Sequence, residues 1–138
     1  MNQILSQKLN IIKNDSGDIL KYFSKDSKYY TTFGEVYFSE VKKSQIKAWK
    51  MQKKITMNIT VPIGSIKFVF YDINFNLIET MIIGKKNYRL LHIPPSIWYG
   101  FKGLNDINLI SSFINEKHND NEMLRLEQKK IKYDWNRE

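Results

Sequence analysis

The stretch that decides the fold is residues 55–71, which read ITMNITVPIGSIKFVFY. Two runs rich in β-branched and aromatic residues, 55–61 and 65–71, flank Pro62, Ile63 and Gly64. Proline and glycine interrupt regular structure, and short runs of this composition between such signals are typical of strands. The stretch therefore predicts two β-strands joined by a tight turn.

Similar runs follow along the rest of the chain, at 32–41, 77–83, 88–93 and 107–113. About eight short strands at roughly ten-residue spacing predict an all-β sandwich or barrel. No stretch keeps a helical period over three turns, except possible periodicity in residues 121–130, so a short irregular or helical C-terminal tail is expected. Without a linker or an internal repeat, residues 1–138 are predicted to form one domain. A jelly roll with its pocket between the sheets suits this pattern.

Composition narrows the class of protein. Of the 138 residues, 42% are hydrophobic and 14% aromatic, which is globular and too apolar for disorder. The chain has no cysteine, which excludes disulfides and thiolate-bound metals. No run approaches the ~18 apolar residues of a membrane span, and the N-terminus lacks the apolar core of a signal peptide. We expect a soluble, cytoplasmic protein that does not contact a membrane.

The chain is basic, with a net charge of +8. This charge favours an anionic partner, such as a diphosphate. The lysines are spread along the chain in pairs such as 42–43, 53–54, 85–86 and 129–130, which is typical of a solvated surface. No nucleic-acid motif is present, so the sequence argues against nucleic acid as the partner.

Two segments carry the functional signal: residues 46–53, IKAWKMQK, and residues 91–101, LHIPPSIWYGF. Because side chains alternate along a strand, Ala48, Lys50 and Gln52 are predicted to share one face, with Trp49 and Met51 on the other. If the first face points to the interior of the barrel, Lys50 and Gln52 point into its pocket.

In order and spacing, these segments resemble the cupin-fold dTDP-4-dehydrorhamnose 3,5-epimerases, especially their short relatives in surface-polysaccharide gene sets. The resemblance extends over about Gly17 to Trp135. It is carried by residues 17–20, 33–39, 46–49, 57–58, 64–72, 93–103, His118 with Glu122, and 131–135. It implies a double-stranded β-helix, commonly a homodimer. It also implies proton exchange beside the 4-keto group of a nucleotide-linked 6-deoxy sugar, without metal or organic cofactor.

The sequence differs from the family at the positions of the catalytic residues. Where relatives carry the histidine base, this sequence has Lys50, and Gln52 stands where a second histidine is sometimes found. Tyr99 replaces the His or Asn of many relatives. The resemblance implies Lys50, Tyr99 and His118 as the reacting or polarising groups. Three roles stay open for Lys50: a desolvated amine that takes a proton or attacks a ketone, a cation that holds an oxygen, or a solvated lysine at the barrel mouth.

The resemblance also suggests a set of substrate contacts, for which structural roles are the alternative. Lys47 could be an exposed strand lysine, Trp98 part of the core, and Glu35 a partner of Lys50 across the sheet. His92, before the two prolines, is interpreted as structural. The complete set of predicted contacts is Glu35, Tyr37, Lys47, Gln52, Asn58 and Trp98.

Three functions are compatible with these residues. The first is an epimerase or isomerase of a nucleotide-linked keto-sugar in surface polysaccharide biosynthesis, with Lys50 in place of the histidine. The second is a cupin that binds a sugar or nucleotide without catalysis. The third, supported only by the charge, is a basic accessory protein that binds nucleic acid. A metal site is not expected, because the chain has only two histidines.

Overall fold

The computed structural model describes residues 3–137, and it consists mainly of two antiparallel five-stranded sheets. Strands are numbered in chain order. The first sheet has the order β1-β9-β6-β11-β4, with β1 Leu5–Lys8, β4 Glu35–Glu40, β6 Met57–Ile63, β9 Arg89–Ile93 and β11 Leu109–Ile114. The second has the order β12-β5-β10-β7-β8, with β5 Ile46–Gln52, β7 Ser65–Tyr71, β8 Leu77–Gly84, β10 Trp98–Gly103 and β12 Met123–Arg125.

Little other regular structure is present in this part of the chain. Strands β2 (Ile11–Ile12) and β3 (Ile19–Leu20) form a small separate sheet. Two 3₁₀ turns, Asp120–Glu122 and Gln128–Lys130, lie in the C-terminal region. The prediction of an all-β protein is confirmed. Among residues 3–137 there is no helix with the length and apolar character needed to cross a bilayer.

The stretch 55–71 forms two strands, as predicted, and they belong to opposite sheets. β6 lies in the first sheet and β7 in the second, so the turn between them carries the chain across the sandwich. Gly64 adopts a φ of +82° at this turn. A Cβ there would lie 2.2 Å from the carbonyl oxygen of Ile107, so only glycine fits.

The main core lies between the two sheets. Met57, Ile59 and Val61 alternate along β6 and face the interior, where they join Phe68 and Phe70 of β7. A second core lies on the outer surface of the second sheet. There Trp49 and Trp98 are covered by Ile131 and Trp135 from the C-terminal tail. The tail is therefore a packed part of the fold.

The fully buried Asn108 joins several loops at one end of the sandwich. Its Oδ1 accepts from the backbone N–H groups of Ser65, at 3.0 Å, and Asn105, at 3.1 Å. Its Nδ2 donates to the carbonyl oxygens of Val41, at 2.8 Å, and Asn105, at 2.7 Å. These bonds satisfy backbone groups that the loops would otherwise leave unpaired.

The helical period in residues 121–130 does not produce an α-helix. Residues Met123–Arg125 form β12, which pairs with β5 and becomes an edge of the second sheet. Tertiary pairing overrides a weak local period, because an added strand satisfies backbone groups on the edge of β5.

Candidate active site

A cleft opens where the edge strands β4 and β12 of the two sheets approach each other. Its volume is about 260 Å³. It adjoins an inner cavity of about 80 Å³ between the sheets, and Tyr37, Lys50 and Tyr99 line both spaces. The cleft, as the term is used below, is lined by Glu35, Tyr37, Lys50, Gln52, Tyr99, His118, Met123 and Arg125.

A β-bulge in the pairing of β5 with β10 sets which side chains face the cleft. Tyr99 lies opposite Lys50, but Gly100 lies opposite Ala48, so Trp49 is an extra residue on β5. Lys50 and Gln52 consequently line the cleft, whereas Ala48 packs with Trp49 and Met51 in the outer core. The prediction that Ala48 shares a face with Lys50 is wrong, because strict alternation does not survive a bulge.

Lys50 is half-buried, and no carboxylate within residues 3–137 forms an ion pair with it. No ion pair or hydrogen bond involves its ammonium in the described part of the chain. Burial lowers its pKa, and the nearby cations of Arg125 and Lys47 lower it further, against a smaller opposing effect of Asp120. The anticipated pairing with Glu35 is not formed. The environment of Lys50 therefore favours the neutral amine more than water does.

Tyr99 and Gln52 form the buried wall of the cleft. Burial raises the pKa of Tyr99 to about 12, so its hydroxyl stays protonated at neutral pH and can donate a hydrogen bond. Nε2 of Gln52 donates to the Tyr99 hydroxyl over 3.4 Å and to Sδ of Met123 over 3.5 Å. Its Oε1 is buried without a partner among the described residues. A buried acceptor without a donor is costly, which suggests that a ligand supplies one.

His118 is held at the cleft entrance by two carboxylates. Its backbone N–H donates to Oε1 of Glu35 over 2.9 Å, and its Nε2 lies 2.8 Å from Oδ1 of Asp120. Because a carboxylate only accepts, Nε2 carries the proton and Nδ1 is the basic nitrogen of the neutral ring. Arg125 also contacts Oδ1 of Asp120, at 3.4 Å. These hydrogen bonds, with His118 the stronger influence, lower the pKa of Asp120 and keep it ionised.

The structure places six of the predicted residues in the cleft: Glu35, Tyr37, Lys50, Gln52, Tyr99 and His118. Three other predicted contacts lie outside it, and each has another partner. The exposed Lys47 donates to the carbonyl oxygen of Glu40 at 2.8 Å. Asn58 lies on the strand face opposite Met57 and Ile59, with Oδ1 2.9 Å from Nδ1 of His92. Trp98 packs in the outer core.

Sequence reasoning missed Asp120, Met123 and Arg125. Met123 and Arg125 lie opposite Gln52 and Lys50 because β12 pairs with β5. Two sequence signals could have indicated these residues. Met123 and Arg125 have the spacing of side chains on one face of a strand, and Asp120 follows His118 by two positions. The first signal lies in residues 121–130, which the sequence predicts as an irregular or helical tail, and the second lies just before that segment.

The cleft differs from the other surface depressions described below in that it continues into a cavity between the two sheets. Two such depressions, of about 620 and 560 Å³, lie along the C-terminal tail, on the outer face of the second sheet. Within residues 3–137 no group of three or more His, Cys, Asp or Glu side chains is arranged to hold a metal ion. The cleft is thus the best candidate for an active site.

Comparison with known proteins identifies the family. The dTDP sugar isomerase of Desulfovibrio desulfuricans G20 is 34% identical, with 96% of this chain and 90% of that chain covered and a TM-score of 0.90. The probable low-salt glycan biosynthesis epimerase Agl13 of Haloferax volcanii is 26% identical over 142 residues, 94% of this chain and 91% of that protein. No protein-family model matches the chain.

More distant solved structures share the fold. The dTDP-6-deoxy-D-glucose-3,5-epimerase RmlC of Legionella pneumophila Philadelphia 1 has a TM-score of 0.78 at 16% identity, covering 93% of this chain and 74% of that chain. These similarities, above all the one at 34% identity over nearly the whole chain, confirm the resemblance seen in the sequence. The chain belongs to the family of dTDP-sugar isomerases and epimerases that are like dTDP-4-dehydrorhamnose 3,5-epimerase.

Proposed function

We propose that this protein is an isomerase or epimerase of a dTDP-linked, or similarly nucleotide-linked, 4-keto-6-deoxy sugar in surface polysaccharide biosynthesis, with Lys50 at the position of the usual catalytic histidine. The observation that carries the proposal is the convergence of Lys50, Tyr99 and His118 on one cleft. The epimerase from Legionella was crystallised with dTDP-4-keto-L-rhamnose, which supports this class of substrate.

The reaction is the exchange of a proton on a carbon next to the ketone. It needs a base for that proton and a group that stabilises the negative charge developing on the carbonyl oxygen. Nδ1 of His118 is a suitable base, because Asp120 accepts from Nε2 and stabilises the charged ring. Tyr99 is a suitable donor to the oxygen, and Lys50 activates the ketone.

The charges around the cleft suit a nucleoside diphosphate. Arg125 and Lys47 lie close enough to Lys50 to lower its pKa, so three cations lie together at the cleft, beside the carboxylates of Glu35 and Asp120. Cations attract and hold phosphate oxygens, and Arg does so through several donors. The unpartnered Oε1 of Gln52 is available to a hydroxyl or amide donor of the ligand.

Several further properties belong to the same proposal. The strand order is compatible with a double-stranded β-helix formed by a single domain over residues 1–138. A cytoplasmic protein that needs no cofactor is consistent with this chemistry. A homodimer is supported by the apolar, exposed face of the edge strand β4, where Val36 and Phe38 lie next to the exposed Phe33.

Solvent deuterium uptake tests the reaction. The protein is mixed with dTDP-4-keto-6-deoxyglucose in deuterated buffer, and incorporation at C3 and C5 is followed by NMR. We expect uptake well above that of the free sugar nucleotide and a loss of at least about 100-fold in Lys50→Ala, as for removal of a catalytic group. The control is Lys43→Arg, an exposed lysine that pairs with Asp106. Uptake equal to background at high protein concentration would reject the activity.

Deuterium uptake together with a melting-temperature measurement distinguishes the enzyme from the second candidate function, a protein that binds the ligand without catalysis. The absence of histidine at residues 50 and 52 is the observation that favours this candidate. A ligand that binds only the folded state raises the melting temperature. Stabilisation by dTDP without deuterium uptake would support binding alone, whereas stabilisation together with uptake supports the enzyme.

A further inference from the structure

We propose that Lys50 activates the ketone covalently, by forming an iminium ion with C4 of the sugar. This inference rests on the proposed function, since it concerns the same substrate and the same cleft. It assigns to Lys50 the role of nucleophile and leaves proton transfer from carbon to His118.

The lack of a partner for Lys50 distinguishes it from other lysines whose ammonium groups are held. Lys47 donates to the carbonyl oxygen of Glu40, Lys102 to that of Trp135 at 3.2 Å, and the buried Lys67 to that of Arg137. These contacts hold a cation in place. Lys50 has no such contact within residues 3–137, although it is half-buried.

The cations near Lys50 disfavour its charged form, against a smaller opposing effect of Asp120. Arg125 lies directly across from it on β12, and Lys47 is also near. A lysine that served as a fixed cation would be expected to have acceptors around it, as the other three have. An amine that is desolvated and flanked by cations is instead activated as a nucleophile toward carbonyl groups.

The surrounding hydroxyls can supply the proton transfers that imine formation requires. Tyr99 lies opposite Lys50 in the strand pairing, and Tyr37 lines the same two spaces. Burial raises the pKa of both hydroxyls, so both are protonated at neutral pH. Each can donate to the carbonyl oxygen as the amine adds, and each can take part in proton exchange with the intermediate.

The steps balance without an oxidant or a reductant. Nζ of Lys50 adds to C4, the carbonyl oxygen gains two protons in turn, and one water leaves to give the iminium ion. The positive nitrogen acidifies the protons on C3 and C5, so His118 can remove one and form an enamine. Reprotonation on carbon restores the iminium ion, and addition of water releases the ketone and the free amine.

Reductive trapping tests the covalent bond. The protein is incubated with dTDP-4-keto-6-deoxyglucose and sodium cyanoborohydride, and then analysed by intact mass and peptide mapping. We expect an adduct with the mass of the sugar nucleotide less one oxygen atom, located on Lys50. The adduct should form on Lys43→Arg and be absent from Lys50→Arg, which keeps a positive charge but cannot form the iminium ion.

Isotope exchange at the ketone gives a second measurement that needs no variant. Imine formation and hydrolysis replace the 4-keto oxygen with oxygen from water, so the wild-type protein should accelerate ¹⁸O exchange at C4. Deuterium uptake without an adduct and without accelerated ¹⁸O exchange would overturn the inference and leave the proposed function in place. An adduct located on another lysine would also overturn it. An adduct on Lys50 without deuterium uptake would support the covalent bond and reject the proposed function.

Discussion

At the scale of single residues, the chemistry of the cleft depends on which polar groups already have partners. His118 and Asp120 are paired with each other, whereas Lys50 and Oε1 of Gln52 have no partner among the described residues. The paired groups are oriented before any ligand binds. The groups without a partner are the ones to which a ligand would bind.

Asp120→Asn tests whether the carboxylate supports His118 in catalysis. The amide can still accept from Nε2, but it no longer stabilises a positive ring, so we expect deuterium uptake to fall by about tenfold to a hundredfold. The melting-temperature rise caused by dTDP should persist. The control is Asp106→Asn, which removes an exposed carboxylate that pairs with Lys43. Equal loss in both variants would contradict a specific role for Asp120.

His92 makes stability depend on pH. It stacks on Tyr29 with a ring-centroid distance of 4.4 Å and contacts Asn58, and burial lowers its pKa below 6.5. A lowered folded-state pKa contributes stability above the unfolded pKa, and this contribution is lost as the pH falls through the folded value. We therefore expect the free energy of unfolding to decrease from pH 7 to pH 5, measured by urea titration. His92→Gln should weaken this dependence, and an unchanged dependence would contradict the prediction.

At the scale of elements, the bulge between β5 and β10 decides which residues reach the cleft. The bulge requires Gly100, because a Cβ there would lie 2.8 Å from Cβ of Ala48 and 2.9 Å from the Trp49 ring. Trp49 is fully buried and cannot easily move away. The sequence pattern Trp-Tyr-Gly-Phe is thus explained by strand geometry.

Gly100→Ala tests this explanation. We expect a loss of about 1–3 kcal/mol in the free energy of unfolding, as for overpacking, measured by urea titration. Because Lys50 lies next to the bulge, deuterium uptake should fall as well. The double variant Ala48→Gly with Gly100→Ala should recover part of the stability, since the two substitutions share a contact. Stability equal to that of the wild type would refute the steric argument.

At the scale of the whole molecule, the C-terminal tail closes a second core. Trp135 lies 5.5 Å from Trp49 and 5.0 Å from Tyr133 between ring centroids. Nζ of Lys102 binds the carbonyl oxygen of Trp135, which fixes the tail to β10. Since Trp49 precedes Lys50 on β5, the tail supports the strand that carries the site.

Trp135→Ala measures this support. Truncation of a buried tryptophan costs about 3 kcal/mol, and we expect a loss of this size in urea unfolding. Lys132→Ala, at an exposed position of the same tail, should change stability by less than about 0.5 kcal/mol. If both variants were equally stable, the tail would not be a cooperative part of the fold.

The sequence predicted several features correctly because they depend on local pattern. Runs rich in β-branched and aromatic residues, bounded by turn residues, located strands such as Ser65–Tyr71 and Leu77–Gly84. The ordered motifs identified the family. Side-chain alternation also predicted that Lys50 and Gln52 lie on the same side of β5, and both residues line the cleft.

Other features could not be read from local pattern because they arise from contacts between distant segments. The bulge that turns Ala48 away depends on Gly100, and the pairing of Arg125 with Lys50 depends on β12 joining the second sheet. Local alternation predicts that Asn58 and Met57 lie on opposite faces of β6. Which of these faces points into the interior depends on the position of β6 between β9 and β11.

The amino-acid sequence by itself determined the all-β class, the family, and the presence of a lysine at residue 50 and a glutamine at residue 52. Only the tertiary structure decided that Lys50 has no anionic partner among residues 3–137, that His118 is paired with Asp120, and that Lys47, Asn58 and Trp98 lie outside the cleft. The physical reason is that strand periodicity and residue identity are local, whereas burial, charge environment and hydrogen-bond partners depend on which strands the fold brings together.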